Sequence, residues 1–385
     1  MKWPQFDSDE IEAVNAVLRS GLVNYWTGTE GQRFEEEFAA YCGTSRAVAL
    51  ANGTVALELA LRALGIGPGD EVVVTARSFF ASASCIVACG ARPVFADVDR
   101  NSQNVTVETI EAVTTTRTRA VIAVHLAGWP CDMPGILAFC RSRGILVLED
   151  CAQAHGAAIQ ERRVGSFGDA AAFSFCNDKI MSTGGEGGMV TTNDETIWRS
   201  IWSLKDHGKS WDLVQRNDHP PGFRWLHERF GTNGRLTEMQ SAIGRIQLRK
   251  VDNWLDERRS NADRLSTLLS SVPALRLPRP ATELRHAWYK FYCFIETDAL
   301  RQSWTRDRVL GEVNDRGAEC YSGSCPEIYL EKAFDASDAR PSARLRVARE
   351  LGETSLMLPV DPCQDPDDLA RNAEAVVQVI KAALR

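Results

Sequence analysis

Apolar and polar residues along this chain follow two rhythms, one helical and one strand-like, that keep trading places. Asp7 to Ser20 (DSDEIEAVNAVLRS) puts Ile11, Val14, Ala16, Val17 and Leu18 at helical spacing behind an acidic capping signal, and predicts a surface helix ended near Gly21. Glu35 to Ala40 begins a second amphipathic helix, and Ala47 to Ala51 is a short apolar strand. After Asn52-Gly53-Thr54 the run VALELALRALG reads as a helix, and GIGPGDEVVVT (Gly65 to Thr75) as a turn into a buried strand. ARSFFASASCIVACGA predicts a loop and a helix, and RPVFADVD a further strand. The exchange continues with a strand over Arg119 to Val124, a helix over Pro134 to Arg143, a strand over Ile145 to Glu149 and an apolar run from Ala170 to Phe175. Short buried strands separated by helices point to a parallel sheet with helices packed against it.

The second half changes character. Trp198 to Gly234 is polar, aromatic and irregular, and a loop that long inside a compact domain is usually functional or disordered. Its charges balance and its aromatics are many, which predicts an ordered loop. Thr237 to about Ser270 carries Ile243, Ile246, Leu248, Val251, Trp254 and Leu255 at helical spacing, one long helix bridging to a smaller C-terminal unit. There a strand near Trp288 to Glu296, a helix from Thr305 to Arg316 and a closing helix from Pro366 to Ala383 predict an α+β fold. The expected division is 1–250, an N-terminal arm with a large α/β domain, and 251–385, the bridging helix with a small α+β domain. A chain of 385 residues suffices for two such units.

Bulk chemistry narrows the function classes. A net charge of −7 with no dense basic cluster argues against a nucleic-acid partner, so an anionic ligand has to meet positive charge locally. The opening MKWPQFDSDEIEAV lacks the apolar core of a secretion signal, and no uninterrupted apolar run reaches membrane-spanning length. A cytoplasmic protein with no membrane partner is expected. The eleven cysteines are scattered; the close pairs Cys85–Cys89 and Cys320–Cys325 lack CxxC spacing, so free thiols in a reducing compartment are expected, with no structural metal. There is no G-x-G-x-x-G at a strand-to-helix turn and no P-loop, which leaves a nicotinamide reading without a site.

The chemistry concentrates in LEDCAQAHGAAIQERRVGSFGDAAAFSFCNDKIMSTGGEGG, from Leu148 to Gly188. One apolar run delivers Glu149 and Asp150 at a strand end. The next leads within four residues of Phe175 to a lone lysine, Lys179, followed by Gly184, Gly185, Gly187 and Gly188. Taken singly these have plain explanations: an aspartate that caps, a solvated lysine, a glycine turn. Together they are what pyridoxal phosphate chemistry needs. The lysine amine condenses with the aldehyde, and the aspartate keeps the pyridine nitrogen protonated so that the ring withdraws electrons. Gly53 and Thr54, at a helix start, offer backbone N–H groups and a hydroxyl that suit a phosphate or an ordinary cap.

The EDxAQAxG segment, the FSF-xxx-K segment and the TGGEGG tail, in their order and spacing, resemble the DegT/DnrJ/EryC1/StrS sugar aminotransferases, and the resemblance covers essentially the whole chain. It implies a fold-type I, aminotransferase-like α/β architecture: a large domain with a mostly parallel mixed sheet sandwiched by helices, plus a smaller α+β C-terminal domain. It also implies a pyridoxal 5′-phosphate-dependent transaminase, its cofactor passing through pyridoxamine 5′-phosphate in turnover. Such an enzyme moves an amino group from an amino acid, most often L-glutamate, to the keto group of a nucleotide-linked deoxy sugar. Lys179 and Asp150 are then catalytic. Gly53, Thr54 and Ser174 match the phosphate contacts, Phe79 the aromatic over the ring, and Gln153 the amide at the ring oxygen. Asn233, in GTNGRLTEMQSAIG, matches the asparagine that reaches the other subunit's phosphate, which implies a homodimer with shared sites. Gly234 replaces an aromatic and Leu236 a methionine, departures that bear on the geometry of this loop. Tyr25, Trp26 and Thr27 of the arm, Lys205, His207, Arg224 and Arg235 of the polar segment, and His286 are the candidate substrate contacts. Tyr289 is expected in strand core, and His125, in HLAGWPCDM, as architecture. Three alternatives stand beside this reading: a sugar dehydratase on the same scaffold, a cyclitol (keto-inositol) aminotransferase, and a non-catalytic pyridoxal phosphate-binding sensor. The dehydratases carry histidine in place of the lysine, so Lys179 argues against the first. No DNA-binding helix pair or basic extension supports the third.

Overall fold

Seven short strands form the central sheet of the computed structural model, which describes residues 3–219 and 221–385. They are β1 (Arg46–Leu50), β2 (Glu71–Thr75), β3 (Arg92–Ala96), β4 (Thr118–Val124), β5 (Leu146–Asp150), β6 (Ala170–Ser174) and β7 (Gly188–Thr192). Across the sheet the order is β1-β7-β6-β5-β4-β2-β3. From β3 to β6 every neighbouring pair is parallel, whereas β7 runs antiparallel to both β6 and β1.

Both faces are covered, which is why β2, β6 and β7 are buried at every position, with Val72 to Val74 and Ala170 to Phe173 as unbroken apolar runs. Val72, Val74, Ala120 and Ile122 pack into a cluster with Leu57, Leu61 and Ile86, from the helices Gly53–Ala63 and Ala81–Ala88. Val73, Val121 and Ala123 face the opposite way, against Ile136 and Phe139 of the helix Met133–Ser142. Further along that side, Ala171 and Phe173 of β6 meet Phe34 and Phe38 of the helix Glu30–Cys42.

Helix ends fall at their capping signals. Asp7 and Glu10 form a reciprocal box at the start of Ser8–Ser20, which Gly21 closes at φ 69°. Thr237 and Gln240 do the same for the 32-residue helix Glu238–Leu269. Its first half lays Leu248 and Val251 under the large sheet. Its second half carries Ala262, Leu265 and Leu269 into a separate cluster around a three-stranded sheet of Leu275–Arg276, Phe291–Ile295 and Ser355–Leu358.

Two expectations need correction. Trp198 to Gly234 is not one long loop, because Glu195–Lys205 is a helix capped by the Asp194 carboxylate, which accepts from the N–H groups of Thr196 and Ile197. The indoles that made the segment look irregular are its buried stripe: Trp198 and Trp202 each meet Trp211 edge-on at 4.8 Å. Trp288 is not in a strand either. It stands at φ 48° ahead of Phe291–Ile295.

Candidate active site

The carboxyl ends of β5 and β6, the start of the helix Gly53–Ala63 and the segment after β6 open onto one cavity of about 1350 Å³. Asp150, the last residue of β5, is buried in its wall. Its Oδ2 accepts from Ser82 Oγ at 2.8 Å and its Oδ1 from the Ala152 N–H at 3.1 Å. Burial pushes the Asp150 carboxyl above its ordinary range, against those two bonds and the charges of Lys179 and His125. Among the described residues no basic side chain lies within ion-pair distance of it, so its charge is left for a cationic group inside the cavity. Glu149, one residue earlier, is spent on architecture. It accepts from the N–H groups of Gly165, Phe167 and Gly168 and faces His125 Nε2 at 3.1 Å. Because His125 Nδ1 accepts from the Cys131 N–H, its Nε2–H is the donor to Glu149.

Gln153 is buried one turn further on, and its Oε1 accepts from the Ala127 N–H at 2.8 Å, which leaves its Nε2 as the group available to a ligand. Asn52 caps the helix Gly53–Ala63 by accepting from the Val55 N–H at 2.9 Å. The N–H groups of the first helical turn lack intrahelical acceptors, and here they border the cavity. A Cβ on Gly53 would lie 2.7 Å from Ser174 Cβ, so only glycine lets this helix start sit against the end of β6. Phe79, 67% exposed, stands in the loop before Ala81–Ala88 at the cavity edge instead of in the core.

Lys179 lies five residues past β6. Its Nζ donates to Asp178 at 3.3 Å and to Tyr289 Oη at 3.4 Å, and Tyr289 Oη in turn donates to Asp178 Oδ2 at 2.5 Å. Trp3, from the far N-terminal end, lines the same cavity, and its indole N–H donates to the Lys179 carbonyl at 2.6 Å. A buried carboxylate awaiting a cation, an amine, a free amide N–H and an open helix start thus share one space. That donor set fits pyridoxal phosphate: an acid for the ring nitrogen, an amine for the aldehyde, and N–H groups for the phosphate.

The profile of the DegT/DnrJ/EryC1/StrS aminotransferase family matches residues 4–377. The chain belongs to that family. It superposes on the X-ray structure of the aminotransferase from Psychrobacter cryohalolentis with a TM-score of 0.97 at 50% identity, covering 100% of this chain and 99% of that one. It is 35% identical to the Bacillus subtilis spore coat polysaccharide biosynthesis protein SpsC over 99% of this chain and 96% of that protein. It is also 35% identical to the dTDP-3-amino-3,4,6-trideoxy-alpha-D-glucose transaminase of Streptomyces venezuelae, covering 94% and 90%. The fold is that of the fold-type I aminotransferases, and the enzyme is an aminotransferase.

Several expected substrate contacts of this aminotransferase lie elsewhere. Lys205 is wholly buried, with its Nζ 2.8 Å from Glu35 Oε1 and 3.8 Å from the centre of the Tyr25 ring. Tyr25 is buried too and donates to Glu35 at 3.0 Å. His286 stacks on Trp288 at 4.1 Å and accepts from its N–H, and burial lowers its pKa to about 3, so it is a neutral packing residue. These three are corrected from substrate contacts to core. Arg235 is half-buried and pairs with Asp206, while Trp26, Thr27, His207, Arg224 and Asn233 are exposed away from the chain's own cavity. Tyr289 is buried in core as expected, but ahead of the strand instead of in it, and its hydroxyl reaches the cavity wall beside Lys179. Ser82, Asp178 and Trp3 were not anticipated as parts of the site. The hydroxyl-rich SFFASAS run was a signal for Ser82, whereas nothing local signals Trp3, which acts across 176 residues.

Proposed function

We propose that this aminotransferase uses pyridoxal 5′-phosphate to move an amino group from L-glutamate to a keto group of a nucleotide-linked deoxy sugar, working as a homodimer with shared sites. The observation that carries the cofactor reading is that Asp150 and Lys179 border one cavity, with the Asp150 charge unmatched and the Lys179 amine directed into it. The Streptomyces venezuelae transaminase, a dTDP-sugar enzyme by name, supports the substrate class. Exposed Asn233, His207 and Arg224, outside the chain's own cavity, support a second copy.

The chemistry supplied by pyridoxal phosphate when bound is an aldehyde carbon that carries nitrogen and a ring that withdraws electrons. Asp150 would hold a proton on the ring nitrogen, and Gln153 Nε2 would donate to the ring oxygen. The first-turn N–H groups at Gly53 and Thr54, with the hydroxyls of Thr54 and Ser174, would hold the phosphate, helped by Asn233 of a second copy. Phe79 would help cover the ring. Lys179 Nζ would carry the transferred proton, acting first as base towards the α carbon of the amino donor and then as acid.

Lys179→Ala is expected to lower turnover by about 10³-fold or more while the chain stays folded, because it removes both the covalent hold and the proton carrier. The holoenzyme is also expected to lose its yellow colour on addition of glutamate. A panel of nucleotide-linked amino sugars with 2-oxoglutarate, followed in reverse by the same colour change, identifies the sugar. Wild-type turnover in Lys179→Ala would remove the lysine from the mechanism, and indifference to every sugar nucleotide would point to a free cyclitol ketone instead.

A further inference from the structure

We infer that Asp178, oriented by Tyr289, is a positioning carboxylate for Lys179: it holds the Nζ ammonium against the cavity wall and balances its charge while the lysine carries the transferred proton. This rests on the reading of Lys179 given above. The geometry is a closed triangle. Tyr289 Oη lies 2.5 Å from Asp178 Oδ2, Lys179 Nζ lies 3.3 Å from the same carboxylate, and the amine and phenol are 3.4 Å apart. Nζ also stands 5.1 Å from the centre of the Tyr289 ring.

The backbone ahead of Tyr289 is bent to make this contact. Trp288 occupies the left-handed region at φ 48°, where a bulky side chain is strained. Surrounding groups hold it there. The buried Arg258 donates to the carbonyls of Trp288 and Tyr289 at 3.4 and 3.2 Å, and His286 Nδ1 accepts from the Trp288 N–H at 2.7 Å. The Tyr289 N–H donates to the Ala127 carbonyl, on the residue whose own N–H fixes Gln153. The bend sends Trp288 and Tyr289 into different core clusters, and it ends on a hydroxyl beside the reactive amine, held by more bonds than packing alone supplies.

The charge states suit the role. Burial alone would raise Asp178, but the Lys179 ammonium and the Tyr289 hydroxyl hold it below the usual range. Burial and the Asp178 charge push the Tyr289 hydroxyl well up, so it stays a donor. The other charges around the group are Asp150, which keeps its charge for a cationic group in the cavity, Lys290 beside Asp178, and Glu186 at the cavity edge, while His155 behind is kept neutral by burial. In the proton step the donor's C–H bond would break as an N–H bond forms at Nζ, the cofactor when bound supplying the sink for the electron pair, and the N–H would then break as a new C–H forms. Asp178 would face the amine through both halves.

The test needs no turnover. The full chain, stripped of cofactor, is acetylated with a trace of acetic anhydride at neutral pH, and labelling of Lys179 is measured against exposed Lys381 by peptide mass spectrometry. Asp178→Asn is expected to raise the Lys179:Lys381 ratio about three- to tenfold, the modest range reflecting the half-exposed carboxylate. Tyr289→Phe should raise it less, and Asp178→Glu should bring it back towards wild type. The excess over wild type should shrink in about 1 M salt, which screens the half-exposed carboxylate. An unchanged ratio in Asp178→Asn or in Tyr289→Phe overturns the inference, as does an excess that stays undiminished in high salt, which would report access in place of charge. Since the labelling uses no cofactor, its failure is separable from failure of the proposed function, which Lys179→Ala tests.

Discussion

Glu149 and Asp150 are adjacent in sequence and opposite in electrostatics. Burial works against the charge of both, yet His125 and three backbone N–H groups hold Glu149 below its ordinary range, whereas one hydroxyl and one N–H leave Asp150 above it. The fully satisfied carboxylate carries structure and the under-satisfied one carries chemistry. His155 shows the same logic in a base. It is buried between Phe173 and Phe175, with its pKa lowered to about 3 by burial first and by the Lys179 charge second. The folded chain therefore refuses a proton that the unfolded chain accepts from about pH 6.5 downwards. Its contribution is intact above that pH and is lost as pH falls towards 3, at about 1.4 kcal/mol per pH unit. His155→Leu is expected to flatten the acid limb of stability by that slope, measured by urea unfolding across a pH series. A limb as steep as wild type would show that the imidazole is not held neutral.

At the scale of elements, what could be read from the chain is what local chemistry decides. The helices Ser8–Ser20 and Glu238–Leu269 were legible because their caps, Asp7 with Gly21 and Thr237, sit in the same few residues as the apolar stripe they begin or end. The strands ending at Asp150 and Ser174 were legible because burial on both faces leaves unbroken apolar runs. Glu195–Lys205 was not, since its buried stripe is built from tryptophans inside a charged segment. Tyr289 was not either, since its direction depends on Trp288 at φ 48° and on Arg258 reaching from another helix. The turn from β1 into the helix Gly53–Ala63 joins both kinds of information: its cap is local, but its need for glycine comes from Ser174 in another strand. Gly53→Ala is expected to destabilise the chain by about 1–3 kcal/mol through overpacking. It should also weaken pyridoxal phosphate binding at least about tenfold by turning the helix start away from the phosphate. Urea unfolding and a cofactor titration check the two effects separately, and wild-type affinity would show that the phosphate does not rest on this turn.

For the whole molecule the question is how many copies make a site. Phe223, Trp225 and Phe230 are 75%, 85% and 101% exposed on the segment that leads to Asn233, a large apolar surface for a lone chain. If Asn233 serves a partner's cavity, Lys179→Ala and Asn233→Ala chains, each impaired alone, should complement on mixing. In the mixed pair one site keeps both residues, so recovery should approach about a quarter of wild-type activity. No recovery after verified exchange of chains would mean that each site is built from one copy.

The far wall of the cavity adds a constraint on traffic. Glu319, Asp365 and Asp368 stand along it, and Lys290, the one lysine among the described residues lining the cavity besides Lys179, is already close to Asp361. A polyanionic ligand entering this cavity would meet repulsion from those carboxylates, which an uncharged group would not.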